Sequence, residues 1–357
     1  MTFPGENAAL PAGTSEGIDT LLAEVRAGRA RAVGRLLTLV EDGAPDAGAA
    51  LAELDHLAAR AGREHPWVIG ITGAPGVGKS TLVAALVAQL RERGERVGVL
   101  AVGPSSALTG GAVLGDCVRL QEHALDPGVF VRSMATRGRL GGLATTTQQA
   151  VRVLHAAGFG VVLVETVGVG RNEVDVAGPA DSVVVVLAPG PGDDVQTAAA
   201  GILEVADALV VNKADRPGAE AAVRELRRLV DESAAVRLGA AVRLGGAAGY
   251  AWPDGDPAVD GAWRPPVLAT VATAGTGVAD VLDELSRHRA VLRAQGRDAD
   301  RRQARAASEI TDLALALIRA GVGPLASDAV AGRITTHEAA RVLVVRAAHG
   351  LEGAAGG

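Results

Sequence analysis

A single cysteine, Cys117, stands among 357 residues. Without a partner thiol the chain can build neither an internal disulfide framework nor a cysteine zinc cluster, and this usage fits a reducing compartment. Histidines are as uninformative: His56, His65, His123, His155 and His288 fall at no ligand spacing, so most are expected on surfaces or helices. Aromatic residues make up 2%, which leaves any core to Val, Leu, Ile and Ala; base-composition bias accounts for this simply, and no function is read from it. No dense Lys/Arg block occurs, the net charge is -6 and the pI is near 5.7, which argues against a nucleic-acid or anionic-membrane footprint. Uninterrupted apolar runs stop well short of the roughly 20 residues of a membrane span. The opening MTFPGENAALPAGTSEG also lacks the basic-then-apolar order of a secretory leader. The expectation is a soluble, cytoplasmic protein.

What the chain does have is length and 48% hydrophobic residues, enough for one large core and a smaller unit beside it. In GIDTLLAEVRAGRARAVGRLLTLVEDG and DAGAALAELDHLAARAG apolar residues recur at helical spacing, so residues 17–62 form a helical lead-in and residues 1–62 an N-terminal extension. From Trp67 the texture changes to short runs alternating with helices: WVIGIT, RVGVLAV, GVVLVET, SVVVVLA, ALVVN and PVLATVA. Continuous apolar strands separated by helices imply a parallel sheet covered on both faces, an α/β domain over residues 63–290. Long helical periodicity resumes after Gly277, with an Arg-rich hinge expected around Asp298 to Arg305, and residues 291–357 are read as a C-terminal helical arm. Arg297, Arg301, Arg302 and Arg305 read as a solvated helix face. The tandem AAVRLGAAVRLG, residues 234–245, is too short for a repeat architecture and reads as a surface elaboration.

Chemistry concentrates at strand ends. GITGAPGVGKST places Gly73, four residues, then Gly78, Lys79 and Ser80 between a strand and the amphipathic TLVAALVAQLRERG. A phosphate chain needs donors that wrap it. Glycines let the loop turn its N–H groups inward, and the following helix adds the positive end of its dipole. Gly73, Ala74, Gly76, Val77, Gly78, Lys79, Ser80 and Thr81 are therefore the expected phosphate cradle, with Lys79 reaching the β/γ-phosphates and Ser80 holding Mg²⁺. In VVLVETVGVG, Glu165 tips a core strand where it can hold the Mg²⁺ shell through water, and Gly168 offers a backbone N–H to the terminal phosphate. A solvated strand-end carboxylate is the plain alternative. VVNKAD, residues 210–215, answers with a base pocket. A carboxylate at Asp215 accepts from the ring N–H and exocyclic amine of guanine, a pattern adenine does not offer. Asn212 braces the loop and the purine edge, and the stem of Lys213 covers the flat base. In TVATAGTG the Ala272 backbone could donate to the guanine carbonyl; an ordinary turn is the alternative there.

In this order, GITGAPGVGKSTL, PSS…TGG…LGD, RSMATRGRLGGLA, LVETVGVG, GDD…Q and GILEVADALVVNKAD, the chain resembles the MeaB/ArgK group of P-loop GTPases from about residue 18 to 345. Those proteins accompany adenosylcobalamin-dependent acyl-CoA mutases such as methylmalonyl-CoA mutase. The resemblance implies a GTPase using GTP/GDP and Mg²⁺. It implies a homodimer built with the C-terminal arm, and a chaperone role in which GTP hydrolysis gates loading of intact cofactor into the mutase. It adds Asp116 to Ser80 and Glu165 at the metal, and sets Lys79, Asp116, Glu165 and Gly168 as the catalytic group. Neither cobalamin nor CoA is expected on this chain.

Several positions depart from the family pattern. Gly103 replaces an acidic residue near the metal, Cys117 follows LGD where Lys or Arg is usual, Ala199 replaces a lysine, and Arg171 and Asn172 stand in VGVGRNE. Since phosphoryl transfer depends on positioned charge, slow or partner-dependent turnover is expected; a hydrolysis-impaired GTP/GDP-binding scaffold is the alternative. Asp193 and Asp194 are either part of a mobile switch or a solvated turn, Arg171 either reaches phosphate or forms a surface salt bridge, and Cys117 reads as a small filler. A nickel-insertion GTPase would share the two nucleotide motifs but needs His/Cys clusters that are absent.

Overall fold

The apolar runs do become strands. A computed structural model of the chain describes residues 15–44, 46–62, 64–103, 123, 125–135, 142–166, 178, 180–190, 205–244, 263–320 and 322–354. Its strands are β1 (Trp67–Thr72), β2 (Val97–Gly103), β3 (Val129–Ala135), β4 (Val161–Thr166), β5 (Ser182–Leu187), β6 (Ala208–Asn212) and β7 (Val267–Thr270). They form one sheet in the order β3-β2-β4-β1-β5-β6-β7, every pair parallel. Parallel neighbours need crossovers, and the intervening helices supply them. These are α4 (Lys79–Glu92), α5 (Gly142–Ala156), α6 (Ala219–Leu244) and α7 (Val278–Ala294); α1 (Ser15–Arg26), α2 (Ala30–Asp42) and α3 (Ala47–Arg60) precede the sheet. The tandem repeat thus lies in α6 up to Leu244.

Alternation along each strand divides the core into two layers. Ile69 and Ile71 of β1 pack with Leu82, Leu86 and Leu90 of α4 and Val281, Leu282 and Leu285 of α7. Val68, Leu100, Val162 and Val185 point to the opposite face, against α1 to α3, α5 and α6. Burial of each such Leu or Val contributes about 1.5–3 kcal/mol, so the helical lead-in is held by the same aliphatic core as the sheet. The expected lead-in is three helices. Gly43 ends α2 in a left-handed conformation, φ 64°, its N–H returning to the carbonyls of Leu39 and Val40.

β3 has no counterpart among the six expected strands. Its sequence, VFVRSMA, interrupts the apolar run with Arg132 and Ser133 because it is a sheet edge. Arg132 donates to Thr38 Oγ1 at 3.0 Å and pairs with Glu41 on α2, which ties the lead-in to that edge. Just before β3, Asp126 accepts two hydrogen bonds from Arg91; these, with the Gly128 N–H, hold its carboxyl below the usual range.

At the N-terminal edge of the sheet one expectation changes. His288, expected on a surface or a helix, is a helix residue of α7 and is fully buried. Its Nδ1 lies 3.0 Å from Ser182 Oγ, which accepts from Trp67 Nε1 at 3.3 Å, and its Nε2 lies 3.3 Å from Asp207 Oδ1. Arg301, expected on a solvated face, donates to the Asp181 carbonyl at 2.5 Å and lies 3.3 Å from Asp207 Oδ1. The Asp207 carboxylate also accepts from the Val183 N–H, and its carbonyl accepts from Trp263 Nε1, both at 2.8 Å. α8 (Arg297–Ala320) runs unbroken through the segment where a hinge was expected.

The chain divides into two compact units, residues 1–301 and 302–357. The second contains most of α8, then α9 (Val322–Val330) and α10 (Thr336–Ala354). α10 opens with a capping box: Thr335 Oγ1 accepts from the Glu338 N–H, and Glu338 accepts from the Thr335 N–H and hydroxyl, which lowers its carboxyl pKa. Ile310, Leu315, Val330, Val344 and Val345 of this unit are exposed. Among the described residues no helix is long and apolar enough to cross a membrane.

Candidate functional site

In a parallel sheet the loops at the C-terminal ends of the strands are the natural place for a ligand, and at this edge the polar residues converge. The turn from β1 into α4 is shaped by two glycines. Gly73 has φ 137°, and a Cβ there would lie 2.1 Å from the Val186 carbonyl oxygen; at Gly78, φ 99°, it would lie 2.3 Å from Asn212 Nδ2. Only glycine lets the loop press onto β5 and β6 in this way. Lys79, the first residue of α4, is buried and arches back to donate to the carbonyls of Gly73 at 2.6 Å and Ala74 at 3.1 Å. Ser80 Oγ donates to Glu165 Oε1 at 2.6 Å. Next to Glu165, Thr166 Oγ1 donates to Thr72 Oγ1 at 3.2 Å, joining the ends of β4 and β1.

Asn212, at the end of β6, is buried and its amide is engaged on both sides. Nδ2 donates to the Val77 carbonyl at 3.0 Å, and Oδ1 accepts from Thr270 Oγ1 and the Ala272 N–H, both at 3.1 Å. It braces the loop as expected, but the Ala272 N–H, expected to face a guanine carbonyl, is already bonded to it. Lys213 takes φ 59°, a left-handed conformation costing about 1–2 kcal/mol in a side-chain-bearing residue. That turn sends its Nζ to the Gly76 carbonyl at 2.5 Å and leaves Asp215 exposed beyond it.

One cavity of about 550 Å³ is lined by Gly76, Gly78, Lys79, Ser80, Thr81 and Glu165 and also by Asn212, Lys213, Asp215 and Ala272. Gly73, Ala74 and Val77 stand behind this lining, their carbonyls holding Lys79 and Asn212. Asp116 and Gly168 lie outside the described residues, as do Cys117, Arg171, Asn172, Asp193, Asp194 and Ala199. The adjacent oxygens of Ser80 and Glu165 are hard donors of the kind Mg²⁺ takes. Among the described residues no group of three His, Cys, Asp or Glu could hold a metal. The N-terminus of α4 and its loop offer backbone donors and positive potential to an anion.

The sequence reading gave the strand-end hydroxyls no role of their own. β1, β4 and β7 end in Thr72, Thr166 and Thr270, all three buried and hydrogen bonded, and Thr166 lines the cavity. The signal is there to be read, a hydroxyl as the last residue of an apolar run. Thr273 and Arg216 also line the cavity.

Comparison with known proteins agrees with this geometry. The family description "Methylmalonyl Co-A mutase-associated GTPase MeaB" matches residues 33–322. A Pyrococcus abyssi protein that carries GTPase in its name is 44% identical over 302 residues, covering 84% of this chain and 85% of its own. Methylmalonic aciduria type A homolog, mitochondrial, of Caenorhabditis elegans is 45% identical over 148 residues, 41% of this chain and 37% of that protein. Among solved structures, LAO/AO transport system kinase superposes with a TM-score of 0.62 over 94% of this chain and 98% of its own, at 22% identity, a likeness of fold.

Proposed function

The chain belongs to the MeaB family of methylmalonyl-CoA mutase-associated GTPases, and from that premise we propose how its pocket holds GTP and what the turnover serves. The phosphates lie over residues 73–81 and the base at Asp215. Lys79 exchanges the Gly73 and Ala74 carbonyls for β/γ-phosphate oxygens. Asp215 accepts from the N1–H and 2-amino group of guanine, and adenine, lacking both, is rejected. Ser80 and Glu165, joined by Asp116, would hold Mg²⁺, which would supply positive charge to the phosphates. Gly168 contributes a backbone N–H to the terminal phosphate. The observation that carries this reading is that Lys79, Ser80 and Glu165 share one cavity with Asp215.

Turnover by the isolated chain is slow. Gly103 ends β2 directly after Val102, which pairs with Thr166, so a strand end beside Glu165 carries no carboxylate. The same observation favours a second reading, a scaffold that holds GTP or GDP with no useful hydrolysis. Gly103→Asp distinguishes them: on the slow-enzyme reading it tightens Mg²⁺ dependence and raises single-turnover hydrolysis by about tenfold or less, and no change in either favours the scaffold.

The partner is an adenosylcobalamin-dependent acyl-CoA mutase of the methylmalonyl-CoA mutase type, and hydrolysis gates its cofactor loading. Residues 291–357 pair two copies of the chain, a role supported by exposed Ile310, Leu315, Val344 and Val345. Calorimetry with Mg²⁺ is expected to show GTP and GDP binding and no ATP binding; equal affinity for ATP ends the reading. Co-purification with mutase under GTP, GDP and no nucleotide is expected to differ among the three, and indifference to nucleotide removes the gating role. Sedimentation of the intact chain as a monomer removes the dimer.

A further inference from the structure

A purine has two flat faces as well as its polar edges. The stem of Lys213 covers one face, and the other needs a planar neighbour if it is not to be left to water. Aromatic rings commonly fill that place, but among the described residues lining the cavity none is aromatic. Trp67 and Trp263 are engaged at the opposite edge of the sheet, and Phe130 packs with Phe159. Beside Asp215 the cavity is lined by Val271, Ala272, Thr273 and Arg216. Only the last of these carries a long side chain with a flat end.

The main chain of Arg216 is fixed. Its N–H donates to the Lys213 carbonyl at 3.0 Å, closing residues 213–216 into a turn, and the Ala214 N–H ties that turn to the Thr270 carbonyl of β7 at 2.9 Å. The side chain is not fixed. Arg216 is exposed, and among the described residues its guanidinium has neither a hydrogen bond nor an ion pair, whereas Lys79 and Lys213 are both tethered to loop carbonyls. Elsewhere in the molecule arginine is what covers rings: the guanidinium carbon lies 4.4 Å from the ring centroid in Arg96 over Phe159, 5.2 Å in Arg289 over Trp67 and 5.4 Å in Arg287 over Trp263.

We propose that the Arg216 guanidinium stacks on the face of the base that Lys213 leaves open, supplying affinity for the purine where Asp215 supplies selectivity. The inference rests on the guanine reading given above and adds to it a residue with no assigned role. A delocalised, weakly hydrated cation laid flat on a ring is attracted by its π-electrons, and every purine offers such a face. Consecutive residues of one turn thus take the edge and the face of the same base.

Calorimetry with Mg²⁺ and GDP or IDP, with guanosine measured by competition against GDP, separates the two roles. Arg216→Ala is expected to weaken guanosine and GDP by the same factor, about fivefold, and to leave the GDP to IDP ratio set by Asp215 unchanged. Arg216→Tyr, flat but uncharged, should restore most of the loss; Arg216→Lys, charged but not flat, should restore little. Rescue by lysine and not by tyrosine, with GDP weakened more than guanosine, makes Arg216 a phosphate contact and overturns the proposal. Unchanged affinity in Arg216→Ala overturns it as well. In the unaltered ¹⁵N-labelled chain the Arg216 Nε–H resonance is expected to move upfield with GDP, as a proton above a ring does; a downfield move reports a hydrogen bond to ribose or phosphate and sinks the idea. If the intact chain binds neither GDP nor GTP, the guanine reading fails first and this inference goes with it. If GDP binds and is preferred over IDP, a negative result at Arg216 counts against Arg216 alone.

Discussion

The two edges of the sheet use similar residues to opposite ends. At the N-terminal edge Asp207, His288, Arg301, Ser182 and two tryptophan N–H groups bond to one another or to nearby backbone. At the C-terminal edge Lys79, Lys213 and Ser80 also have partners, but both lysines donate to carbonyls of the loop beside them, and Asp215 faces the cavity. A buried carboxylate with a matched cation is architecture; a carboxylate at the mouth of a cavity, among carbonyl-tethered lysines, is equipment for a ligand. Burial and titratable chemistry alone do not separate the two cases. What separates them is whether the groups complete each other or leave geometry open for a guest.

Substitutions at the two edges should therefore fail in different assays. The largest effect is expected for Lys79→Ala, which should lower GTP hydrolysis by about a hundredfold or more, read in single turnover, with thermal unfolding little changed. Asp207→Asn should do the reverse: it leaves Arg301 without its buried counter-charge, destabilises by about 3 kcal/mol in urea unfolding, and changes GDP affinity by about twofold or less. Equal loss of binding in both variants would dissolve the distinction between the edges. Asp215→Asn should weaken GDP by about tenfold or more and favour the xanthine nucleotide, whose C2 carbonyl accepts what the new amide donates; calorimetry with the two diphosphates checks it. The smallest effect belongs to the half-buried Arg91–Asp126 pair. Its hydrogen bonds to Arg91 and the Gly128 N–H lower the Asp126 pKa in the folded chain from the ordinary 3.8. The stability it contributes is present above that ordinary value and is lost as pH falls through the folded one, so Asp126→Asn should flatten the acid limb of an unfolding profile slightly.

Much of the nucleotide edge was legible in the sequence because its signals are local. A glycine-rich turn joins one strand to one helix, and Asn-Lys-x-Asp follows one strand within six residues, VVNKAD. The six continuous strands were legible for the same reason, five of them buried along their whole length and the edge strand β7 in part. β3 was not, since Arg132 answers to Glu41 on α2, far away in the chain. Arg301 read as a surface residue, and the burial of His288 on its helix went unread, because nothing near them in sequence announces Asp207, which arrives from β5–β6. The engagement of the Ala272 N–H was not legible, because Asn212 captures it across 60 residues of chain.

Lys213 bonds the Gly76 carbonyl and Asn212 the Val77 carbonyl, so the strand that presents Asp215 also grips the arch in front of α4. Recognition of a purine and recognition of an anion are thereby mechanically joined, and filling one subsite stiffens the other before anything arrives there. Guanosine and pyrophosphate, supplied as separate fragments, should each bind more tightly when the other is present, a synergy that two independent half-sites could not produce.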